Sequence, residues 1–264
     1  MDTAVVLAAF NEQLRRHPEA GPADRVENDA QVTRVVSDDD DGWNGVIWSS
    51  ITETDADAVI AAQIQRFAAV GHDWEWKHYS YDQPADLPAR LRAAGFVPDE
   101  PETVLVAEIA ELAREPHPPA GVDLVPVTGQ QEADALVAVH DQVFGGNHEA
   151  TGQAVLRGLG RQPAPVAAVI AVAGGTPVSA GRVDFPAGSD FASIWGGGTL
   201  PDWRGRGIFR SLVAWRAALA HDRGYRYLQA DATPDSRPIL RRLGFVELAE
   251  TTPYQYPAGQ QLPP

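Results

Sequence analysis

Apolar positions along the chain recur at a period near two in some stretches and near 3.6 in others, which predicts strands and helices in alternation. Residues 3–16 read as an amphipathic helix closed by His17-Pro18, and residues 55–70 as a second, with Ile60, Ile64 and Phe67 on one side. Between them, residues 29–36 and 43–49 are strand-like and joined by the turn Asp38-Asp39-Asp40-Asp41-Gly42, while residues 74–79 alternate like a strand. Further on, residues 122–127 form a strand. Residues 130–144 form a helix along Ala133, Leu136, Val137, His140 and Val143, and residues 150–159 another. Three strands follow at 166–172, 178–183 and 191–195. Ile208, Leu212, Trp215 and Leu219 then recur at i, i+4, i+7 and i+11, a helix stripe. Residues 225–232 read as a strand and 235–243 as a short helix, with Val246 and Tyr254 in closing strands.

Part of this pattern occurs twice. Leu91-Arg92-Ala93-Ala94-Gly95-Phe96 parallels Leu240-Arg241-Arg242-Leu243-Gly244-Phe245 at an offset of 149 residues. The same offset sets Asp82 against Asp231, Trp76 against Tyr225, and the helix at 55–70 against the one that opens at Ile208. Helix, strand and helix in the same order indicate a tandem duplication. The proline-rich stretch Arg114-Glu115-Pro116-His117-Pro118-Pro119-Ala120-Gly121 is a stiff linker. The expected division is therefore a first domain at 1–115, a linker at 116–121 and a second domain at 122–264.

Composition narrows the classes. At 264 residues the chain is long enough for two domains with real cores. It has no cysteine, which excludes disulfides, thiolate metal sites and a cysteine nucleophile. The run at Asp38–Asp41 lacks the spaced ligands and terminal glutamate of a calcium loop, so it reads as a solvated turn and no metal is expected. The first apolar run, residues 4–10, follows an acid and lacks a basic leader, and no stretch is long enough to span a bilayer. The expectation is a cytoplasmic protein without membrane contact. A net charge of −15 opposes sequence-independent nucleic-acid binding, which depends on neutralising phosphates. Arginines nevertheless gather between Arg204 and Arg242, a local basic patch suited to one anionic cofactor; Arg216 and Arg223 read as part of a solvated helix face.

The chemistry centres on Gly196-Gly197-Gly198-Thr199-Leu200-Pro201-Asp202-Trp203-Arg204-Gly205-Arg206-Gly207-Ile208-Phe209, where a strand hands over to a helix. Amides in a helix's first turn lack partners within it, glycines let a ligand approach the main chain, and the helix dipole favours an anion there. Together these describe a phosphate cradle. It is not a Walker A loop, which needs Gly-Lys-Ser/Thr, nor a dinucleotide fingerprint, since Arg210 stands where a third glycine would. What remains, Arg204-x-x-Gly207-x-Phe209, resembles the pyrophosphate motif Arg/Gln-x-x-Gly-x-Gly/Ala of the GNAT-type N-acetyltransferases, with Phe209 a departure at its last position. Leu240-Arg241-Arg242-Leu243-Gly244-Phe245 resembles the family's second signature.

The resemblance implies an α/β (α+β) fold of two tandem GNAT-like domains, each a mixed, mostly antiparallel sheet flanked by helices. It also implies acetyl-CoA as acyl donor, held by Thr199, Leu200, Arg204, Gly205, Arg206, Gly207, Ile208, Phe209 and Ser236. The acceptor would be the amine of a small molecule, with transfer in a direct ternary complex; a homodimer is compatible. In the first half Asp55, Asp57 and Ala58 stand where Arg204, Arg206 and Gly207 stand in the second, so that half should not bind the cofactor. Gly196-Gly197-Gly198 predicts a bulge or a close backbone approach. Candidates for proton transfer are His148 and Glu149 in a loop, Asp184 and Asp190 at strand ends, and Ser236, Tyr254 or Tyr256 for the thiolate, because Leu240 holds the position of the family's tyrosine. His140 lies on an apolar helix face and reads as a satisfied core residue. The alternative is a GNAT fold that binds acyl-CoA or a macromolecular partner without turnover.

Overall fold

The computed structural model describes residues 1–21, 24–38 and 42–259, and the chain forms two compact units. The first comprises Met1–Val104, Asp231–Arg237 and the chain from Glu247 onward; the second comprises Leu105–Ala230 and Pro238–Val246. Each is a mixed α/β unit whose strands pair mostly antiparallel.

In the first unit, helix α1 (Thr3–Phe10) is capped by Asp2, whose carboxylate accepts from the Ala4 and Val5 amides, and it continues as a π-helical turn over Asn11–Arg16. Strands β1 (Asp24–Asn28), β2 (Val32–Ser37) and β3 (Gly45–Ser49) form an antiparallel meander. Sequence patterning gives no sign of β1, because all its residues but Val26 are polar and none is fully buried. Of the acidic turn expected after β2, residues 39–41 lie outside the described residues. Helix α2 (Ala56–Ala68) then crosses to β4 (Trp74–Tyr79), which runs parallel to β3. Helix α3 (Leu87–Ala93), the two-residue β5 (Val97–Pro98) and β6 (Glu102–Glu108) follow, and β6 carries the chain into the second unit.

The core of this unit is aromatic. Trp74 stacks on Phe67 at a centroid distance of 4.2 Å and meets the edge of Phe96 at 5.0 Å. Beside it lies a buried ion pair. Arg15, 2% exposed, sends Nη2 to both oxygens of Asp82 at 2.9 Å and Nε to the Ile47 carbonyl at 2.9 Å. Its Nη1 reaches Asn11 and Tyr81, and the guanidinium lies 3.8 Å from the Tyr79 ring centroid.

The second unit repeats the plan. Strand β7 (Val122–Pro126) precedes helices α4 (Gln130–Phe144) and α5 (Glu149–Leu159). Strands β8 (Val166–Ala173), β9 (Thr176–Asp184) and β10 (Phe191–Thr199) then form an antiparallel meander to which β7 adds at the edge. Helix α6 (Ile208–Asp222) crosses to β11 (Tyr227–Ala232), whose Tyr227–Gln229 run parallel to Phe191–Ser193. The apolar run of β8 serves two faces, as successive strand residues point to opposite sides. Ala168 and Ile170 pack with Leu136, Val139 and Val155 of α4 and α5, whereas Val169 and Ala171 pack with Ile208 and Leu212 of α6.

Helix α7 (Arg237–Arg242) and strand β12 (Val246–Tyr256) close the chain. From Thr251 to Tyr256, β12 pairs antiparallel with β4, Tyr254 opposite Trp76. This strand therefore belongs with the first unit, and the units divide between Val104 and Leu105 rather than at the proline-rich stretch 116–121, which lies inside the second. The reason is physical. Strand β4 carries the buried Trp74 and Trp76, and an open edge beside them would leave amides and carbonyls unpaired.

Breaking a buried ion pair strands one charge. Asp82→Ala should therefore lower the unfolding free energy by about 3–5 kcal/mol in urea titrations. Arg16→Ala, which loses a half-exposed pair to Glu12 at 3.8 Å, should change it by less than about 1 kcal/mol.

Candidate functional site

The strand-to-helix junction of the second unit is built in four steps. Strand β10 is fixed at its end by Ser179, whose Oγ bonds the Gly198 carbonyl at 2.6 Å and the Thr199 hydroxyl at 2.8 Å. A 3-10 turn over Pro201–Trp203 follows, and Arg204 returns its Nε to the Thr199 carbonyl at 3.0 Å. Gly205 and Gly207 then take φ of 74° and 85°, a left-handed conformation that only glycine enters without strain. Gly207 caps α6, and its carbonyl receives the Ser211 amide at 3.1 Å.

Among the described residues no acceptor takes the amides of Gly205 through Arg210. Around them the side chains of Arg204, Arg206 and Arg210 are exposed and none is paired with a described carboxylate. Arg206 lies 4.7 Å from the Trp203 ring centroid and donates to the Asp202 carbonyl at 2.9 Å. Thr199 and Ile208 are buried, at 8% and 1% exposure, so what they offer a ligand is main chain. A Cβ added at Gly205 would meet nothing within 4 Å. The turn is open, charged and rich in donors, which fits a diphosphate.

Immediately upstream, the β9–β10 ladder shifts register between Trp195 and Gly198, so Gly196 and Gly197 face Gly181 alone. Each glycine of the triplet is required by close packing. A Cβ on Gly196 would lie 2.6 Å from the His140 ring, one on Gly197 2.8 Å from the Phe209 ring, and one on Gly198 2.9 Å from Val143. Phe209, the departure from the expected small residue, thus turns its ring onto the bulge. The ladder between β10 and β11 stops at Ser193, and beyond it the two strands part.

Two buried bases flank the bulge. His140 is 2% exposed, with Nε2 at 2.8 Å from the Gly196 carbonyl, and burial lowers its pKa to about 4. It is a satisfied core residue, as its helix face implies. Arg216 is the correction: it lies on no solvated face but is 1% exposed. Its Nε bonds the Leu212 carbonyl at 3.0 Å and Nη1 the Arg182 carbonyl at 3.3 Å, while Nη2 is buried without an acceptor among the described residues. Burial alone pushes its pKa down to about 9. The signal was available in the spacing, since 208, 212 and 216 recur every four residues on the buried side. Arg223 is exposed as expected, stacked 3.8 Å from the Phe185 ring centroid.

The proton-transfer candidates fall in different places. His148 Nδ1 lies 2.9 Å from Asp141 Oδ1, which also accepts the His148 amide at 2.8 Å; its ring sits 5.6 Å from that of His140. Glu149 is exposed and opens α5. Both border an open groove of about 520 Å³ in the second unit, or lie next to it; Asp134, Asp141, Asn147, Glu149 and Gln153 give the groove its polar, acidic lining. Asp184 pairs with Arg182 at 3.4 Å, and burial raises its pKa. Asp190 uses its carbonyl to hold the Arg226 and Tyr227 amides. Ser236 and Tyr254 both belong to the first unit, Ser236 bonded to Thr233 and Tyr254 buried in the aromatic core. Tyr256 is buried there too, its hydroxyl without a partner among the described residues. Leu240 is 2% exposed and packs as core. Among the described residues no group of three or more His, Asp or Glu could hold a metal ion, and no helix is long and apolar enough to cross a membrane.

Residues 133–245, which take in most of α4, the bulge, the glycine turn and Leu243-Gly244-Phe245, match the model of the Acetyltransferase (GNAT) family. No curated protein is significantly similar to the chain. Among solved structures, a GCN5-related N-acetyltransferase from Kribbella flavida is similar over 97% of this chain and 95% of its own, at 19% identity and a TM-score of 0.68. A functionally unknown conserved protein from Staphylococcus epidermidis covers 94% and 97% at 14% identity and 0.67. A tandem GNAT protein from the clavulanic acid biosynthesis pathway covers 98% and 95% at 15% identity and 0.60. These likenesses are of fold: the chain shares the fold of GNAT proteins, one of them a tandem GNAT protein, and residues 133–245 match the family's model. Family and fold support acyl transfer in general.

His140 makes the second unit's stability pH-dependent. It is held neutral when folded and takes a proton near 6.5 when unfolded, so stability is lost as pH falls from 6.5 to about 4. Between pH 7 and 4, His140→Gln should lose less unfolding free energy than the parent by up to about 2 kcal/mol, read from urea midpoints.

Proposed function

We propose that the second unit binds acetyl-CoA at the glycine turn and transfers the acetyl group to the amine of a small-molecule acceptor in a direct ternary complex. The observation that carries this reading is the run of amides from Gly205 to Arg210 that have no acceptor among the described residues, set among three arginines that no described carboxylate pairs. The diphosphate would lie on those amides at the positive end of α6, with Arg204, Arg206 and Arg210 beside it and Leu200 and Phe209 at the turn's margins.

In the reaction the amine nitrogen attacks the thioester carbon, the carbon–sulfur bond breaks, and the proton lost by nitrogen balances the one gained by the thiolate. The base must reach an ammonium. His148, steadied by Asp141, and Glu149 at the acidic groove of α4 and α5 suit that task, with Asp184 the third candidate. That groove suits a cationic acceptor, and the net charge of −15 would steer one towards the protein. The bulge takes Gly196 and Gly197 off the β9 ladder, and main-chain amides released there are the kind of donor that stabilises a tetrahedral oxyanion. Leu240 has no proton to give, so the thiolate is protonated by water or a hydroxyl.

The first unit is the natural control. At the start of α2, Asp55 accepts the Thr52 amide and Asp57 pairs with Arg90 at 2.9 Å, so carboxylates occupy the end where an anion would bind.

Gly207→Val should abolish acetyl-CoA binding in calorimetry while costing the fold about 1–2 kcal/mol for a side chain at positive φ. Asp55→Asn and Asp57→Asn should leave the affinity unchanged. Thiol release from acetyl-CoA across a panel of amines tests turnover. Binding without acceptor-dependent release would favour a non-catalytic acyl-CoA module, and unchanged affinity in Gly207→Val would remove the cradle from the reading.

A further inference from the structure

Arg216 poses a problem that the described residues do not solve. A guanidinium 1% exposed normally faces a carboxylate, because an unpaired buried charge is strongly unfavourable. Here Nε and Nη1 meet only the Leu212 and Arg182 carbonyls, and Nη2 has no acceptor among the described residues. Among the described residues no carboxylate is paired with it, and burial lowers its pKa. Arg15 in the first unit shows the ordinary solution, a bidentate aspartate.

The surroundings indicate where a partner would come from. Nη2 lies 3.5 Å from where a Gly197 Cβ would stand and Nη1 2.9 Å from where a Gly181 Cβ would stand, so the buried head packs directly against main chain that carries no side chain at the bulge. The bulge sits where β10 has parted from β11. The Phe209 ring approaches the same Gly197 position to 2.8 Å and is half-buried, a cover made of one side chain. Arg216 is nine residues along α6 from Gly207, about 13 Å of helix axis. That is of the order of the span from the diphosphate to the thioester in an extended acyl-CoA.

We propose that Arg216 is the seat of a ligand carboxylate in the second unit, carried on the acyl chain of the thioester or on the acceptor. This rests on the reading that the unit binds acyl-CoA. With the donor as source, the preferred thioesters are of the malonyl or succinyl type; with the acceptor as source, the preferred amines are amino acids. Either way Nη2 gains a charged acceptor, and Gly197 is glycine partly so that the carboxylate can pass.

Two variants test it on the full-length protein. Arg216→Gln removes the charge, and Gly197→Ala keeps it but places a methyl group against Phe209 and the guanidinium. Binding of CoA, acetyl-CoA, malonyl-CoA and succinyl-CoA is measured by calorimetry without acceptor, and urea midpoints confirm folding. If the donor is the source, malonyl- or succinyl-CoA binds at least about tenfold tighter than acetyl-CoA, and both variants erase the difference. If the acceptor is the source, the thioesters bind alike. Thiol release then favours an α-amino acid over its decarboxylated amine by a similar factor, again lost in both variants. Should Arg216→Gln fail to fold, Gly197→Ala alone decides. Absence of both preferences, or a preference that survives the variants, overturns the carboxylate seat while leaving acyl-CoA binding in place. If neither CoA nor any thioester binds the parent protein, the proposed function falls and this inference with it.

Discussion

An α-helix cannot satisfy the amides of its own first turn, and the second unit turns that constraint outwards at α6. Ile208 and Leu212 anchor the helix on Val169, Ala171 and Val178, so its start is held rigidly against the sheet. Gly205 and Gly207 at positive φ keep the chain from folding back over the amides. Arg204 is tethered by its Nε to Thr199, which places the rest of its guanidinium beside the turn at little further entropic cost. Each feature serves one end: a set of donors already oriented, whose neighbours are cationic and which no described residue accepts from.

The two units show how the same plan can be kept or closed. Each has an antiparallel meander and a helical crossover to a parallel strand. Each then has a short helix that ends at a glycine, Gly95 with φ 101° and Gly244 with φ 105°. The following amides even bond alike, Phe96 to Leu91 at 3.0 Å and Phe245 to Leu240 at 3.1 Å. The duplicated aspartates Asp82 and Asp231 each hold a buried cation, Arg15 and Lys77. Against that shared frame the starts of α2 and α6 differ in sign: carboxylates at Asp55 and Asp57, arginines and glycines at Arg204–Gly207. A carboxylate at a helix start is stabilised by the dipole and repels phosphate. Divergence at a few positions is enough to specialise one unit.

Much of this was legible in the chain because it depends on local rules. The alternation of 74–79 reports burial directly, and the stripe at 208, 212, 215 and 219 does so at Ile208 and Leu212 while Trp215 and Leu219 are half-buried. Gly196-Gly197-Gly198 pointed to a bulge or a close approach, and the structure has the bulge with His140, Phe209 and Val143 packed against it. What escaped was non-local or mixed in signal. Strand β1 has Val26 as its one apolar residue and exists because β2 pairs with it. The partner of β12 is decided by an open edge formed more than 170 residues earlier, which no window of sequence contains. Arg216 was hidden by its residue type: charge argued for solvent and spacing for the core, and spacing prevailed. The open acidic groove between α4 and α5 was equally invisible, since it depends on how two helices meet.

The bulge shows why that last error matters chemically. His140 from α4 and Arg216 from α6 both reach the glycine triplet from helices that pack on opposite faces of β8 and β9. Burial acts on both in the same direction, against the charged form. The imidazole responds by remaining neutral, and because the Gly196 carbonyl can only accept, its Nε2 carries the proton. The guanidinium has no such escape at neutral pH, for a pKa near 9 still leaves it charged. One base of the pair therefore discards its charge and the other keeps it, a few ångströms from a backbone stripped of side chains. A fold that wanted only packing there would place leucine at 216, in line with Ile208 and Leu212. Retaining a cation costs stability, and an anion carried in by a ligand would offset that cost.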